Sequence, residues 1–372
     1  MNYKSIFHAQ SQMNTVSISI ANFTPSFHGD GYVMSYVTQT VLLSRIIQIV
    51  DGNGNIGVGE IINDPGLNIK QLQTVENRVL EDIDQITLQD IPMLIQQFRS
   101  KKLKLNGLAF GLETAYLDLI SRTNEVPLFA LLGGCLCNDM PDYLSISCSE
   151  PEVMKDRIRI DGINRDVIQI KMNGVNIDAD LNRIDASLSA LGKHQTLLVD
   201  FNGALNPHDA NIFIDNFSDQ RILWEEPCKT YEDNRNLAEK SGASLLFDQC
   251  LKSLNIITRA CSEGVMAGAC IKADGLGGLG IARTARDICI DSGVPIRVDG
   301  LWCGPIAAAA TLHLATGTPT DLLISACDLC EPLVITEDWG AGIVQLVKGR
   351  IAANNLPGHG VTPPDTLKYS SI

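Results

Sequence analysis

The feature that most constrains this chain is a rhythm of eight short apolar runs in its second part. They are Tyr143-Leu-Ser-Ile-Ser, Val167-Ile-Gln-Ile-Lys171, Thr196-Leu-Leu-Val-Asp200, Ile222-Leu-Trp-Glu225, Leu245-Leu-Phe-Asp248, Ala269-Cys-Ile-Lys272, Pro295-Ile-Arg-Val-Asp299 and Asp321-Leu-Leu-Ile-Ser325. Their starts lie 23 to 29 residues apart, the length of a strand, a crossover helix and two loops. Near-continuous apolar runs suit strands buried on both faces, as in parallel sheets. Eight such units in series predict a closed (β/α)8 barrel of TIM type over 134–335.

The segment before it reads differently. Residues 14–62 carry strand patterns, Val16-Ser-Ile-Ser-Ile and the run Thr38-Gln-Thr-Val-Leu-Leu, with a hairpin turn at Asp51-Gly-Asn-Gly. From about 69 the period becomes helical, and Leu108, Leu112, Ala115 and Leu119 form one apolar stripe. Residues 1–133 are therefore expected to form an α+β capping domain. The tail, 336–372, is too short for another βα unit and is expected to pack back on that domain. The whole is an α/β chain.

Composition removes several function classes. The formal charge is −14, which argues against nucleic acid and anionic membrane surfaces, since both select clustered Lys and Arg. No run reaches the 18 or so apolar residues that a membrane span needs. All 11 cysteines fall between Cys135 and Cys330, mostly singly within apolar stretches, where thiols behave as core residues. With no basic start followed by an apolar run in the first 20 residues, a reducing cytoplasm is the expected location. Cys327-Asp-Leu-Cys330 lacks the second pair that a zinc site needs. Gly275-Leu-Gly277-Gly278-Leu-Gly280 reads as a tight loop rather than a nucleotide cradle.

Six of the eight runs end in an ionisable residue: Lys171, Asp200, Glu225, Asp248, Lys272 and Asp299. In a parallel barrel the carboxyl ends of all strands meet at one rim, so these residues converge. Asp200, Glu225 and Asp248 end consecutive strands and would repel one another without a cation. An all-oxygen set suits Mg2+ better than zinc. Taken singly, each acid reads equally well as a helix cap or a solvated loop acid. Lys171 and Lys272 flank the acids from the second and sixth strands and face one another across the mouth. A dication nearby would lower their pKa values toward the range where an amine acts as a base.

With those residues in view, the chain resembles the enolase superfamily, in the mandelate racemase/muconate lactonizing enzyme group. The resemblance spans nearly the whole chain: Gly57-Val-Gly-Glu60, Gly111-Leu-Glu-Thr-Ala-Tyr-Leu-Asp118, Val126-Pro-Leu, Leu132-Gly-Gly, Asp200-Phe-Asn202, Trp224-Glu225-Glu226-Pro227, Phe247-Asp248-Gln249 and Ile271-Lys272 with Gly277-Gly278-Leu279. It implies Mg2+ on Asp200, Glu225 and Asp248, lysine bases at 171 and 272, and an enediolate formed by loss of an α-proton. It implies that Asn202 and Gln249 support the ligands, that the capping loop from Phe23 to Tyr32 covers a small carboxylate substrate, and that the chain assembles with copies of itself.

There are departures. Where the muconate-type pattern often has Lys-x-Lys, this chain has Gln169-Ile-Lys171, and Asp248 is followed by Gln rather than Glu. Asp299-Gly-Leu-Trp302 looks closer to members acting on proline-like amino acids. Asp299, Trp302 and Tyr32 are accordingly candidates to meet substrate, with lid or core packing the competing reading for Trp302 and Tyr32. Racemisation or epimerisation of an amino acid or proline derivative leads. Dehydration by β-elimination comes next, then muconate-type cycloisomerisation. A metal-free Schiff-base lyase using one of the lysines is disfavoured by the three carboxylates, and a non-catalytic barrel by the convergence of reactive groups.

Overall fold

In the computed structural model, which describes residues 15–83, 86–100 and 102–371, the eight runs form one parallel sheet. Its strands are Tyr143–Ile146, Val167–Lys171, Thr196–Asp200, Ile222–Glu225, Leu245–Phe247, Gly268–Lys272, Ile296–Asp299 and Leu323–Ser325, each paired with its neighbour in chain order. The sheet curls until the Ala326 N–H, just past the last strand, donates to the Pro141 carbonyl ahead of the first at 2.9 Å. The expected TIM-type barrel is thus present, with a capping region before it. Connecting helices begin where the sequence supplies a cap. Asn176, Asn206, Thr230 and Ser253 each accept, through the side chain, from the backbone N–H three residues on.

Register places the site. Lys171, Asp200 and Glu225 stand side by side as Cα partners on adjacent strands, and Lys272 is paired with Asp299. Because strand residues two apart share a face, Gln169, Cys270 and Arg297 point the same way as Lys171, Lys272 and Asp299.

The capping region has an antiparallel sheet of Val16–Phe23, Ser44–Asp51 and Ile56–Ile61, joined at its edge by Ser370–Ser371 from the tail. Asp51 holds the hairpin turn, its carboxylate accepting from the backbone of Asn53 and Asn55. The run from Thr38 is strand only at Thr38–Gln39, and the sheet strand starts later, at Ser44. The reason lies in its partners: Thr40 accepts from Phe27 and Leu42 donates to Pro25, so this stretch pairs with the 25–28 loop. Helix Asn106–Thr123 lies on the sheet and buries Leu108, Leu112, Ala115 and Leu119 completely. Glu60, wholly buried, reaches from this sheet to the barrel, where it accepts from Gly304 N–H at 2.7 Å and Ala307 N–H at 3.1 Å. It caps the helix Pro305–Ala315, where the helix dipole favours an anion.

All eleven cysteines are unpaired, seven of them buried. Among the described residues no helix is long and apolar enough to cross a membrane. The first fourteen residues, read above for a targeting signal, lie outside the described ones.

Two buried histidines give the fold an acid limit. His313 accepts at Nδ1 from Phe129 N–H, and His359 accepts at Nδ1 from Val361 N–H while Nε2 meets the Val58 carbonyl. Protonation would point a new N–H at a donor. Burial, helped by the neighbouring His359, pushes His313 from 6.5 down to about 3, and burial also lowers His359. Unfolded histidine binds its proton near pH 6.5, so stability is full above that value and falls as pH drops toward 3. His313 alone should cost about 1.4 kcal/mol per pH unit in that window. Buried Glu225 and Glu226, raised to about 7 and about 8, act in the opposite sense over this range, so the histidine is read from the difference between wild type and His313→Gln. From pH 7 to 5 the variant should lose less stability, or gain more, than wild type; equal changes in the two proteins would contradict this reading.

Candidate active site

Six strand-end residues meet at the rim, and the hydrogen bonds give each a position. Lys171 Nζ donates to Asp200 Oδ2. Asn202 holds the same carboxylate from the loop side, through its backbone N–H to Oδ1 at 2.7 Å and its amide to Oδ2 at 3.1 Å. On the other flank Lys272 Nζ donates to Asp248 Oδ2 at 2.7 Å. Gln169 bridges two acids: its amide donates to Asp200 Oδ2 at 3.2 Å and Glu225 Oε2 at 2.6 Å. The amide is oriented because Ser145 Oγ donates to its oxygen at 2.6 Å, and Tyr32 in turn bonds Ser145. Gln169 thus does a donor's work without adding charge.

Sequence reasoning passed over Arg297, which is 1% exposed in the middle of the seventh strand. Its Nη1 donates to both oxygens of Glu225, at 2.9 and 2.8 Å, and Nη2 to Asp299 Oδ2 at 2.6 Å. The guanidinium lies 4.4 Å over the Tyr143 ring. Its signal in the sequence was a charge flanked by Ile296 and Val298 inside a strand with no wet face.

A cavity of about 400 Å³ opens above these groups. Lys171, Lys272, Asp299 and Trp302 line it from the barrel, Met34 and Tyr36 from the tip of a capping hairpin. Tyr32 is not among the lining residues. It stands behind the wall, edge-on to Trp302 with ring centroids 5.0 Å apart, so its place is to brace Trp302 and orient Ser145. Gln249 lines the cavity, but the Asp248 segment is held by Glu226, which accepts from the backbone N–H of Asp248 and of Cys250, both at 2.8 Å.

With this geometry in hand, comparison with known proteins is decisive. The family model described as enolase C-terminal domain-like matches residues 155–367, more than half of the chain. The chain belongs to the enolase superfamily. It is of the mandelate racemase/muconate lactonizing enzyme type, and its relatives are enzymes. The cis-3-hydroxy-L-proline dehydratase of Roseibium aggregatum is 32% identical over 255 residues, 68% of this chain and 68% of that protein. The N-succinyl-L-Arg/Lys racemase of Bacillus cereus is 22% identical over 92% of this chain and 94% of its own. A dipeptide epimerase from Enterococcus faecalis, solved with Mg and the dipeptide L-Leu-L-Tyr, superposes with a TM-score of 0.84 at 21% identity, covering 94% of this chain and 100% of that one. Isomerases and a lyase thus share this enzyme's fold.

In the superfamily member described here, four carboxylates (Asp200, Glu225, Asp248, Asp299) face three cations (Lys171, Lys272, Arg297). Burial pushes Glu225 up to about 7; Arg297 opposes the rise, while Asp200 and Asp248 add to it. Burial would lower both lysines, but Asp200 outweighs it at Lys171 and Asp248 at Lys272, so both are raised. The lowering expected from a dication acts in the opposite sense, since the ion would offset these same carboxylates. Burial works against Asp299, yet Arg297 and Lys272 hold it below the usual range.

Magnesium is the family's typical metal, and the donors fit a hard cation. Asp248 Oδ1 is buried with no hydrogen-bond partner among the described residues, a costly state for a carboxylate oxygen unless something else binds there. The grouping differs in one member from the expected trio. Among the described residues, Glu225, Asp248 and Cys270 bring one ligand atom each within 4.8 Å of one another. Asp200 stands aside, drawn toward Lys171 and Gln169.

Proposed function

We propose that this enzyme removes the proton next to the carboxylate of an amino acid or proline derivative, using Lys171 and Lys272 as its acid–base pair. The observation that carries the reading is that the two lysines, from the second and sixth of eight strands and anchored on different carboxylates, line one cavity. Asp200, Glu225 and Asp248 are the residues that would hold Mg2+. Bound there, it supplies electrostatic stabilisation for the negative charge left on the substrate carboxylate.

The proton count follows from the pair. In racemisation one lysine enters as the neutral amine and takes the α-proton, while the other enters as the ammonium and returns a proton to the opposite face. The two end with their states exchanged. Asp299 Oδ1, buried and without a hydrogen-bond partner among the described residues, is suited to a substrate ammonium, with Trp302 beside it.

Dehydration is the second reading. The 32% identity to a cis-3-hydroxy-L-proline dehydratase supports it. There the second lysine would protonate a departing β-hydroxyl instead of the α-carbon. Incubation in D2O with Mg2+ and a panel of L- and D-amino acids, hydroxyprolines and sugar acids separates the two. Deuterium at an α-carbon with inverted configuration identifies the epimerase, and loss of water identifies the dehydratase. Absence of both exchange and turnover across the panel would refute α-proton abstraction.

A further inference from the structure

A guanidinium buried within a barrel strand carries a large desolvation cost, which only close anions can offset. Arg297 has three such contacts, two to Glu225 and one to Asp299, while its Nε is buried without a hydrogen-bond partner among the described residues. Glu225 does not depend on Arg297 for its orientation, because the Gln169 amide also holds it at 2.6 Å. Removing the guanidinium therefore takes away a charge without releasing the carboxylate.

We propose that Arg297 is the built-in counter-cation of this site and sets how tightly a divalent cation is held, by sharing Glu225 with it. The inference rests on reading the carboxylates as the metal site. The guanidinium offsets negative charge on Glu225 and Asp299 that a dication beside them would otherwise meet. Without Arg297 the site is more negative by one charge, so the metal is held more tightly and the substrate carboxylate less well. A unit charge a few ångströms from a dication in a buried setting is worth at least about tenfold in affinity.

Calorimetric titration of the purified full-length protein with MgCl2 tests this. R297M should bind Mg2+ at least about tenfold more tightly than wild type, with a raised KM for whichever carboxylate proves to be the substrate. R297K keeps the charge but loses the fork and should stay within about threefold of wild type. Should R297M fail to fold, R297Q carries the same expectation. The sign is what separates this role from a structural one, since a loosened site would bind metal more weakly. Wild-type binding with R297M and R297Q no tighter, or R297K tightening as much as they do, overturns the inference and leaves the proposed reaction standing. No Mg2+ binding by any of the four proteins overturns both.

Discussion

Lys171→Met and Lys272→Met are each expected to lower turnover by about 10²–10⁴-fold, the range a positioned proton-transfer group supplies. Methionine keeps the length of the stem and removes the amine. After Lys171→Met, Asp200 is still held by Gln169 and Asn202, so the rim should survive. The informative readout is which face each variant loses. In a two-base reaction each lysine serves one enantiomer as base, so each variant should retain α-deuterium exchange with one enantiomer and lose it with the other. Mirror-image losses in the two variants would show that the lysines act from opposite sides. Wild-type rates with both enantiomers in either variant would remove that lysine from the mechanism. In a dehydratase the asymmetry changes form: one variant would lose exchange altogether, while the other would exchange without eliminating.

The strand-end residues could be read from the sequence because the barrel turns a one-dimensional pattern into a place. Whatever ends a parallel strand lies at one rim, so Lys171, Asp200, Glu225, Asp248, Lys272 and Asp299 needed no knowledge of packing. Arg297 and Cys270 lie two residues further back, where the pleat points them inward as well. A rule that looked only at the last residue of each strand passed over them. Glu226 was hidden for another reason. It reaches the Asp248 and Cys250 amides from the next strand, 22 and 24 residues away in the chain, so no local motif shows the pairing. Tyr32 was placed by its loop, and a loop position does not distinguish a side chain in the cavity wall from one behind it. The strand assigned from Thr38 failed because β-branched residues signal extended backbone, not the partner with which it pairs.

Gly59→Ala should cost about 3 kcal/mol or more, at or beyond the upper end of the usual range for overpacking. Gly59 sits on the capping strand Ile56–Ile61 under the helix Asn106–Thr123, and a Cβ there would lie 2.0 Å from the Gly111 carbonyl oxygen and 2.8 Å from the Ala115 nitrogen. Both obstacles are helix backbone, which has no rotamer to change, so the helix itself has to move. That helix carries Leu108, Leu112, Ala115 and Leu119 in the capping core, all fully buried. Moving it opens gaps around four side chains at once. At about 2–4 °C per kcal/mol for chains somewhat shorter than this one, the apparent melting temperature should fall by roughly 5–10 °C. Gly192→Ala is the control, because its Cβ would meet nothing nearer than the Gln195 side-chain oxygen at 3.4 Å, an ordinary contact distance, and it should melt with the wild type. The same helix begins at Asn106, whose amide donates at 2.6 Å to the Gly275 carbonyl, three residues past Lys272. Displacement of the helix should therefore reach the rim and raise KM in Gly59→Ala at temperatures where the protein is still folded. A variant melting within about 2 °C of wild type would mean that strand and helix do not touch this closely. A variant that melts early but binds substrate normally would mean that the capping region and the lysine loop are not mechanically joined.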